Sequence, residues 1–369
     1  MITAGRSGAP RPGAGSSFPG AEALIEEARR RQRRRWRRRA LLGASLVLLA
    51  AAAAIGGIGL SGRTALSPAR AARSPGPVAP MPSRVVVWTA DSKIEVLSSR
   101  TGRLIRTLAT SVALNRGLPT LAVSPAGVVY FDDARGPREF ILSVPVTGGS
   151  VTTVAEGRDP ALSPDGRLLA YWTYTDQWAL KQPEAIVVRD LLAGTQRTWA
   201  FTSYLADITG MSWSPDGRFV AFASTTGIRN GTVTVRTAQV LDTRSGGTLE
   251  SARRILPDRR AAWAGFLTSH TGVAVQVGQD GSVRTDGSLV EVGVGSGRVL
   301  RRLTSLPPHG LGTVNAVDGT ENTITVDRTG RYLLIAGGGT GTGEIFWWTF
   351  GIPHPVRITS GALRAVWAG

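Results

Sequence analysis

A pattern of about ten residues that returns five times constrains this chain more than any other feature. Leu121-Ala122-Val123-Ser124-Pro125-Ala126-Gly127-Val128-Val129-Tyr130 recurs as Ala161-Leu162-Ser163-Pro164-Asp165-Gly166-Arg167-Leu168-Leu169-Ala170 and as Met211-Ser212-Trp213-Ser214-Pro215-Asp216-Gly217-Arg218-Phe219-Val220. Weaker copies occupy Gly265–Val275 and Thr325–Ile335. Each copy reads as strand, tight turn, strand: Pro presets φ at the second turn position, Asp bonds back to the turn backbone, and Gly takes the conformation that leads out. The strand after the turn is apolar at consecutive positions, as in Phe219-Val220-Ala221-Phe222 and Leu333-Leu334-Ile335-Ala336. Such a strand is buried on both faces. A two-layer sandwich exposes one face of each sheet, whereas radially stacked blades cover both, so the fold class is an all-β propeller.

The blades can be counted. Turn glycines fall at 127, 166, 217, 272 and 330, giving spacings of 39, 51, 55 and 58 residues, each wide enough for four strands. Ala362-Leu363-Arg364-Ala365-Val366-Trp367-Ala368 then repeats the first strand once more, with Trp367 matching Trp213, and no blade follows it. At the other end Val85–Thr89, Lys93–Leu97 and Leu104–Leu108 form three strands that lack a first. The two remnants complete each other, which removes the exposed sheet edge and predicts six blades. Seven blades of about 41 residues is the alternative reading of the same length.

The Ser-Pro-Asp-Gly-Arg turns at 163–167 and 214–218, each followed by an apolar strand, resemble the repeat of TolB-like β-propellers, relatives of the tryptophan-aspartate repeat proteins. The resemblance spans most of residues 84–369. It implies a binding platform, with ligands at the central channel or the loop-bearing rim, and no catalytic residue, because the recurring motif is a folding element. Similar propellers in prolyl oligopeptidase relatives precede a hydrolase domain; this sequence stops at Gly369, so none is expected here.

Ahead of the repeats the chain changes character. Residues 1–20 are rich in Gly, Pro and Ser and are expected to be disordered. Residues 21–39 carry Glu22, Glu26 and Glu27 ahead of nine Arg between Arg29 and Arg39, which suits a short Arg-rich cytoplasmic helix with Glu26–Arg30 and Glu27–Arg31 pairs. Ala40–Leu60 holds no charge and no Pro. At about 1.5 Å per residue a helix over this segment matches the roughly 30 Å hydrocarbon thickness, so a transmembrane helix is predicted. Positive charge stays inside, which places the N-terminus in the cytoplasm and the propeller outside, with Trp36, Arg37, Arg38 and Arg39 at the membrane boundary. A cleaved signal peptide competes, although its charged region would be unusually long. Arg38-Arg39-Ala40-Leu41-Leu42 also fits a loose twin-arginine pattern. Residues 61–83, with Pro68, Pro75, Pro77, Pro80 and Pro82, read as a semi-rigid linker.

Charge counted by segment explains the net +17. Residues 1–39 contribute +8, whereas residues 84–369 have 29 basic and 23 acidic side chains. The Arg run suits topology and lipid contact better than nucleic acid, since no aromatic interleaving or DNA-binding module accompanies it. Apart from Lys93 and Lys181 every basic side chain is Arg, a bias of GC-rich, actinobacterium-like coding. The chain has no Cys, which excludes disulfides, thiolate metal sites and Cys nucleophiles.

Little else carries chemistry. His270, His309 and His354 lack metal-ligand spacing and read as loop residues. No nucleophile elbow or phosphate loop is present, and Gly337–Gly343 reads as a hairpin loop. Asp132, Asp133, Asp159, Asp165, Asp176, Asp207 and Asp216 are the candidate carboxylates for glycoside hydrolysis, with Asp165 and Asp216 expected in turns. Tyr174 and Trp178 are the aromatic candidates for ligand binding at the rim. No cofactor is expected. The sequence therefore points to a single-pass, membrane-anchored extracytoplasmic propeller that binds a protein, peptide or glycan. A cell-envelope enzyme with channel carboxylates and a transmembrane sensor signalling through residues 21–39 are the alternatives.

Overall fold

A computed structural model of the chain describes residues 80–110, 120–135, 138–173, 184–201, 207–229, 232–255, 261–276, 288–305, 324–337, 343–350 and 352–368. The expected disordered, cytoplasmic and transmembrane segments and residues 61–79 of the linker lie outside these. Among the described residues no helix is long and apolar enough to cross a membrane.

In chain order the strands are β1 (Arg84–Thr89), β2 (Ile94–Ser98) and β3 (Leu104–Ala109); β4 (Leu121–Val123), β5 (Val128–Arg135), β6 (Arg138–Pro145) and β7 (Thr152–Glu156); β8 (Arg158–Leu162), β9 (Leu168–Thr173), β10 (Ala185–Asp190) and β11 (Gln196–Ala200). There follow β12 (Asp207–Trp213), β13 (Phe219–Arg229), β14 (Thr232–Asp242) and β15 (Arg253–Arg254); β16 (Ala261–Phe266), β17 (Thr271–Gln276), β18 (Ser288–Gly293) and β19 (Val299–Ser305); β20 (Ile324–Val326), β21 (Tyr332–Gly337), β22 (Glu344–Thr349) and β23 (Val356–Ser360); and β24 (Ala362–Ala368). They form six four-stranded antiparallel sheets, five of them consecutive meanders and the sixth ordered β24-β1-β2-β3. The fold is a six-bladed β-propeller, not a seven-bladed one. We number the closing sheet blade 1 and the others blades 2 to 6 in chain order.

The closure is the one the two remnants predict. Val85 pairs with Trp367, Val86 with Val366, and Trp88 with Arg364 across β1 and β24. The first strands also touch in a closed cycle, β24 to β4, β8, β12, β16, β20 and back to β24. Second strands are buried on both faces: Val220, Ala221 and Phe222 have no exposed surface, nor have Leu333 and Ile335. Indole N–H groups tie blade to blade. Trp213 donates to Ala161 O at 3.0 Å in the preceding blade, and Trp367, its counterpart, donates to Tyr332 O at 3.2 Å.

The turns explain the repeat chemically. In blade 4 Ser214 Oγ donates to Asp216 Oδ1 at 2.5 Å and accepts from Phe219 N at 2.8 Å, while Gly217 sits at φ +66°. Blade 3 repeats this with Ser163, Asp165 and Leu168. Blade 6 exchanges the roles: Asp327 Oδ1 accepts from Arg331 N and Tyr332 N at 2.8 Å each, and Thr329 Oγ1 donates to Asp327 Oδ2 at 2.6 Å. Blade 5 departs from expectation, because Gly272 lies within β17 and is not among the positive-φ glycines. It is required by space instead: a Cβ there would come 2.0 Å from the Trp263 ring. Ser214→Ala removes the acceptor of the part-buried Phe219 N–H, so we expect a loss of about 1 kcal/mol, read from denaturant midpoints at unchanged m-value.

Candidate functional site

The first strands enclose a central channel with a cavity of about 190 Å³. Its wall is mostly small and apolar, including Ala122, Ala161, Gly210, Gly265 and Ala365, because six strands converging on one axis leave room for little else. Among the described residues only Asp327, Arg328 and Arg364 bring charge to it. Arg328 closes the end that carries the repeat turns: its Nη2 donates to Val123 O at 3.4 Å, reaching from blade 6 to blade 2. Burial lowers the pKa of this guanidinium from its ordinary value.

At the opposite end, where the first and third strands begin, charged side chains from blades 1, 2 and 3 converge. Thr120, just ahead of β4, uses both of its donors: its N–H reaches Asp132 Oδ1 at 2.7 Å and its Oγ1 reaches Asp159 Oδ1 at 2.5 Å. Asp159 N donates to Asp132 Oδ2 at 3.4 Å, and Asp159 holds φ +54°, uncommon for a residue with a side chain. Arg158 Nε lies 3.8 Å from Glu139 Oε2 and 4.0 Å from Asp159 Oδ2, with its guanidinium 3.9 Å above the Trp172 ring. Arg364, only 2% exposed, adds its charge from β24.

Burial, then the charge of Asp159 and more weakly that of Glu139, pushes the Asp132 carboxyl up to about 7 against the pull of the Thr120 and Asp159 N–H groups. Burial also raises Asp159, outweighing Arg158, the Thr120 hydroxyl and Arg364. Both carboxyls therefore keep their protons to higher pH than an exposed aspartate does. The site thus combines two carboxyls of raised pKa, two guanidinium groups and an apolar shaft behind them.

Asp132 and Asp159 were among the sequence candidates, and the fold brings them together. Asp165 stays in its turn and pairs through Arg167 with Asp190, whose Oδ2 is 2.8 Å from Arg167 Nε; Asp216 does likewise through Arg218 and Asp242. Exposed His270 lies in its turn and exposed His354 in a bend. Tyr174, Trp178, Asp176 and His309, like Trp36, Arg37, Arg38 and Arg39, lie outside the described residues. Thr173 and Ala185, which flank 174–183, sit at the mouth end of blade 3, since Arg158 pairs with Trp172 and Ala185 with Thr173. Sequence reasoning missed Thr120, Glu139, Arg158 and Arg364. Arg364 had a signal: it is the single charge in the otherwise apolar run Ala362–Ala368. The others had none.

The fold and this site define a six-bladed propeller with a buried charged cluster at one mouth of its channel. No protein-family model matches the chain, and no curated protein matches it in sequence. Among solved structures it is similar to TolB from Acinetobacter baumannii, at 14% identity over 72% of this chain and 60% of that one, with a TM-score of 0.49. It is similar also to a chain of the nidogen/laminin complex, at 17% identity over 75% and 92% with a TM-score of 0.48. Porphyromonas gingivalis dipeptidyl peptidase 4 matches at 14% identity over 77% and 46%, with a TM-score of 0.41.

Proposed function

We propose that the chain is a single-pass membrane protein whose propeller stands outside the cell and binds a protein, peptide or glycan at the channel mouth. The anchor reading rests on Ala40–Leu60 and the Arg29–Arg39 run. The binding reading rests on one observation: a buried cluster of Asp132, Asp159, Glu139, Arg158 and Arg364 at the mouth of an apolar shaft. Burying charge costs stability unless each group is paired, and among the described residues blades 4, 5 and 6 bring no comparable cluster of charged side chains to the mouth end of the shaft. A polar constellation in front of an apolar cavity is the ordinary form of a ligand site.

The enzyme alternative draws on the raised carboxyl of Asp132, which suits a general acid. Against it, both Asp132 oxygens accept backbone N–H groups, and neither Asp132 nor Asp159 lines the cavity. They build the mouth and do not present a free carboxyl to it. The test is retention of envelope components by the full chain in detergent, compared between the natural protein and Arg158→Met. We expect the variant to melt lower, since it leaves buried Glu139 and Asp159 without that charge, and, at a temperature where both proteins are folded, to lose about tenfold or more in affinity for whatever is retained, the effect of one charged hydrogen bond. Equal retention by both proteins would overturn the mouth as the binding site. Turnover of a glycan that disappears in Asp132→Asn would favour the enzyme.

A further inference from the structure

We infer that the turn-end opening of the channel binds a small amphiphilic carboxylate, with its charge on Arg328 and its apolar body in the shaft. This goes beyond the reading above, which concerns the opposite mouth. The turns around this opening, at 124–127, 163–166, 214–217, 267–271 and 327–330, all belong to the described residues. Arg328 stands in the blade 6 turn where blades 2, 3 and 4 have Pro125, Pro164 and Pro215. It lines the same cavity as Pro164 and Pro215. Its guanidinium is nearly unspent: among the described residues its one hydrogen bond runs from Nη2 to Val123 O, and at 3.4 Å this is a long contact that is easily given up. Most of its donors are left for a guest. Burial alone acts on its pKa, downward, and no carboxylate draws it up. A guanidinium partly withdrawn from water and lacking a counterion gains from one.

The local charge selects an anion, although the same face carries several Asp. In blades 3 and 4 the turn Arg pairs with an Asp that ends the third strand, Arg167 with Asp190 and Arg218 with Asp242. In blade 6 Thr349 holds that place, opposite Tyr332. The turn of blade 4 thus sets two carboxylates against one guanidinium, whereas that of blade 6 sets two guanidinium groups, Arg328 and Arg331, against the one carboxylate of Asp327. Asp327 is committed to its own turn. Its oxygens accept from Arg331 N, Tyr332 N, Thr329 N and Thr329 Oγ1.

The shaft behind Arg328 decides what kind of anion fits. Its cavity of about 190 Å³ is walled by small apolar residues. An apolar cavity of about 150 Å³ takes benzene, so this one suits a guest of roughly eight heavy atoms. Inorganic phosphate would leave that wall unused. A carboxylate matches the fork of a guanidinium and brings an apolar tail with it. Free short-chain acids and the C-terminal residue of a peptide share this chemistry.

The test is calorimetric titration of the full chain in phosphatidylcholine nanodiscs, against empty discs, with acetate, butanoate, hexanoate, hexanamide and inorganic phosphate. We expect affinity to rise about fourfold per methylene from acetate to hexanoate. Hexanamide and phosphate should bind at least about tenfold more weakly than hexanoate. Arg328→Pro gives blade 6 the residue that blades 2, 3 and 4 carry at this position, so it should keep the melting temperature and lose about tenfold or more in hexanoate affinity. Arg328→Gln, which leaves the backbone free, should lose as much. Equal affinity for acetate and hexanoate would reduce Arg328 to a surface cation and overturn the site. Hexanoate binding that survives Arg328→Pro but not Arg158→Met would place the guest at the opposite mouth, overturning this inference while supporting the other reading. A pentapeptide ending in leucine separates the two sources. Binding as tight as that of hexanoate, lost on amidation of the C-terminus, assigns the site to a peptide end, and binding of hexanoate alone assigns it to a free acid.

Discussion

A chain ending at Gly361 is expected to show no cooperative unfolding transition, because the eight residues it lacks include the whole inner strand of blade 1. Without β24, Val85 and Val87, which have no exposed surface, lose one side of their packing, and β1 becomes an open edge at the channel. The ring also loses its wall between blades 6 and 2, since β24 touches both β20 and β4. Trp367 alone carries much of this. It is 6% exposed, meets Tyr332 edge-on at 6.2 Å between ring centroids, and donates to Tyr332 O. Ala365 O meanwhile accepts from Thr325 Oγ1 at 2.7 Å. Trp367→Ala is expected to cost about 3–5 kcal/mol, a large share of the 5–15 kcal/mol typical of a domain. Calorimetry on the truncated chain checks the first expectation and denaturant unfolding of Trp367→Ala the second; a melting temperature equal to that of the natural protein in either would sink the account of closure. A synthetic peptide of residues 362–368 added to the truncated chain should restore the transition.

Stability should fall as pH rises from about 5 to about 8. Asp132 has its folded pKa pushed up to about 7 from 3.8, so between those values the folded protein holds a proton that the unfolded chain has released. Stability then declines with rising pH across the window. Its contribution is fully present below the unfolded value and lost as pH passes through about 7. Moving the carboxyl from 3.8 to about 7 corresponds to at most about 4 kcal/mol. At the acid end the sign reverses. Ser163 holds Asp165 below its ordinary value and Arg218 does the same for Asp242, so their contributions vanish as pH falls through the lowered values. The stability profile should therefore peak on the acid side of neutrality. Asp132→Asn removes the ionisation and should flatten the decline, while lowering stability at acid pH, because its amide nitrogen cannot accept from the Thr120 or Asp159 N–H that the carboxyl oxygens serve. Urea midpoints taken across pH 5–8 measure both. A rise over that interval in the natural protein would show that Asp132 ionises freely.

The same carboxyl bears on binding. Because Thr120 donates to both Asp132 and Asp159, ionisation of the pair also changes the net charge of the mouth at which binding is proposed.

The sequence alone favoured six blades over seven and pointed to the closing strand and the turn chemistry, because each is read from a short motif that repeats along the chain. A Pro-Asp-Gly turn forms from its own backbone, and a consecutive apolar run declares two-sided burial wherever it sits. Even the blade 6 exchange of Asp327 for Ser and Thr329 for Asp preserves the local hydrogen bonds that the motif encodes. Gly272 misled for the same reason: it keeps the motif's spacing but answers to Trp263, nine residues away, and not to a turn. Only the tertiary structure decided which charges meet. Thr120 and Asp159 are 39 residues apart, and Arg328 spans 205 residues to reach Val123. No periodicity links such positions. They come together because six first strands share one axis, and a side chain at the end of any of them faces the ends of all the others.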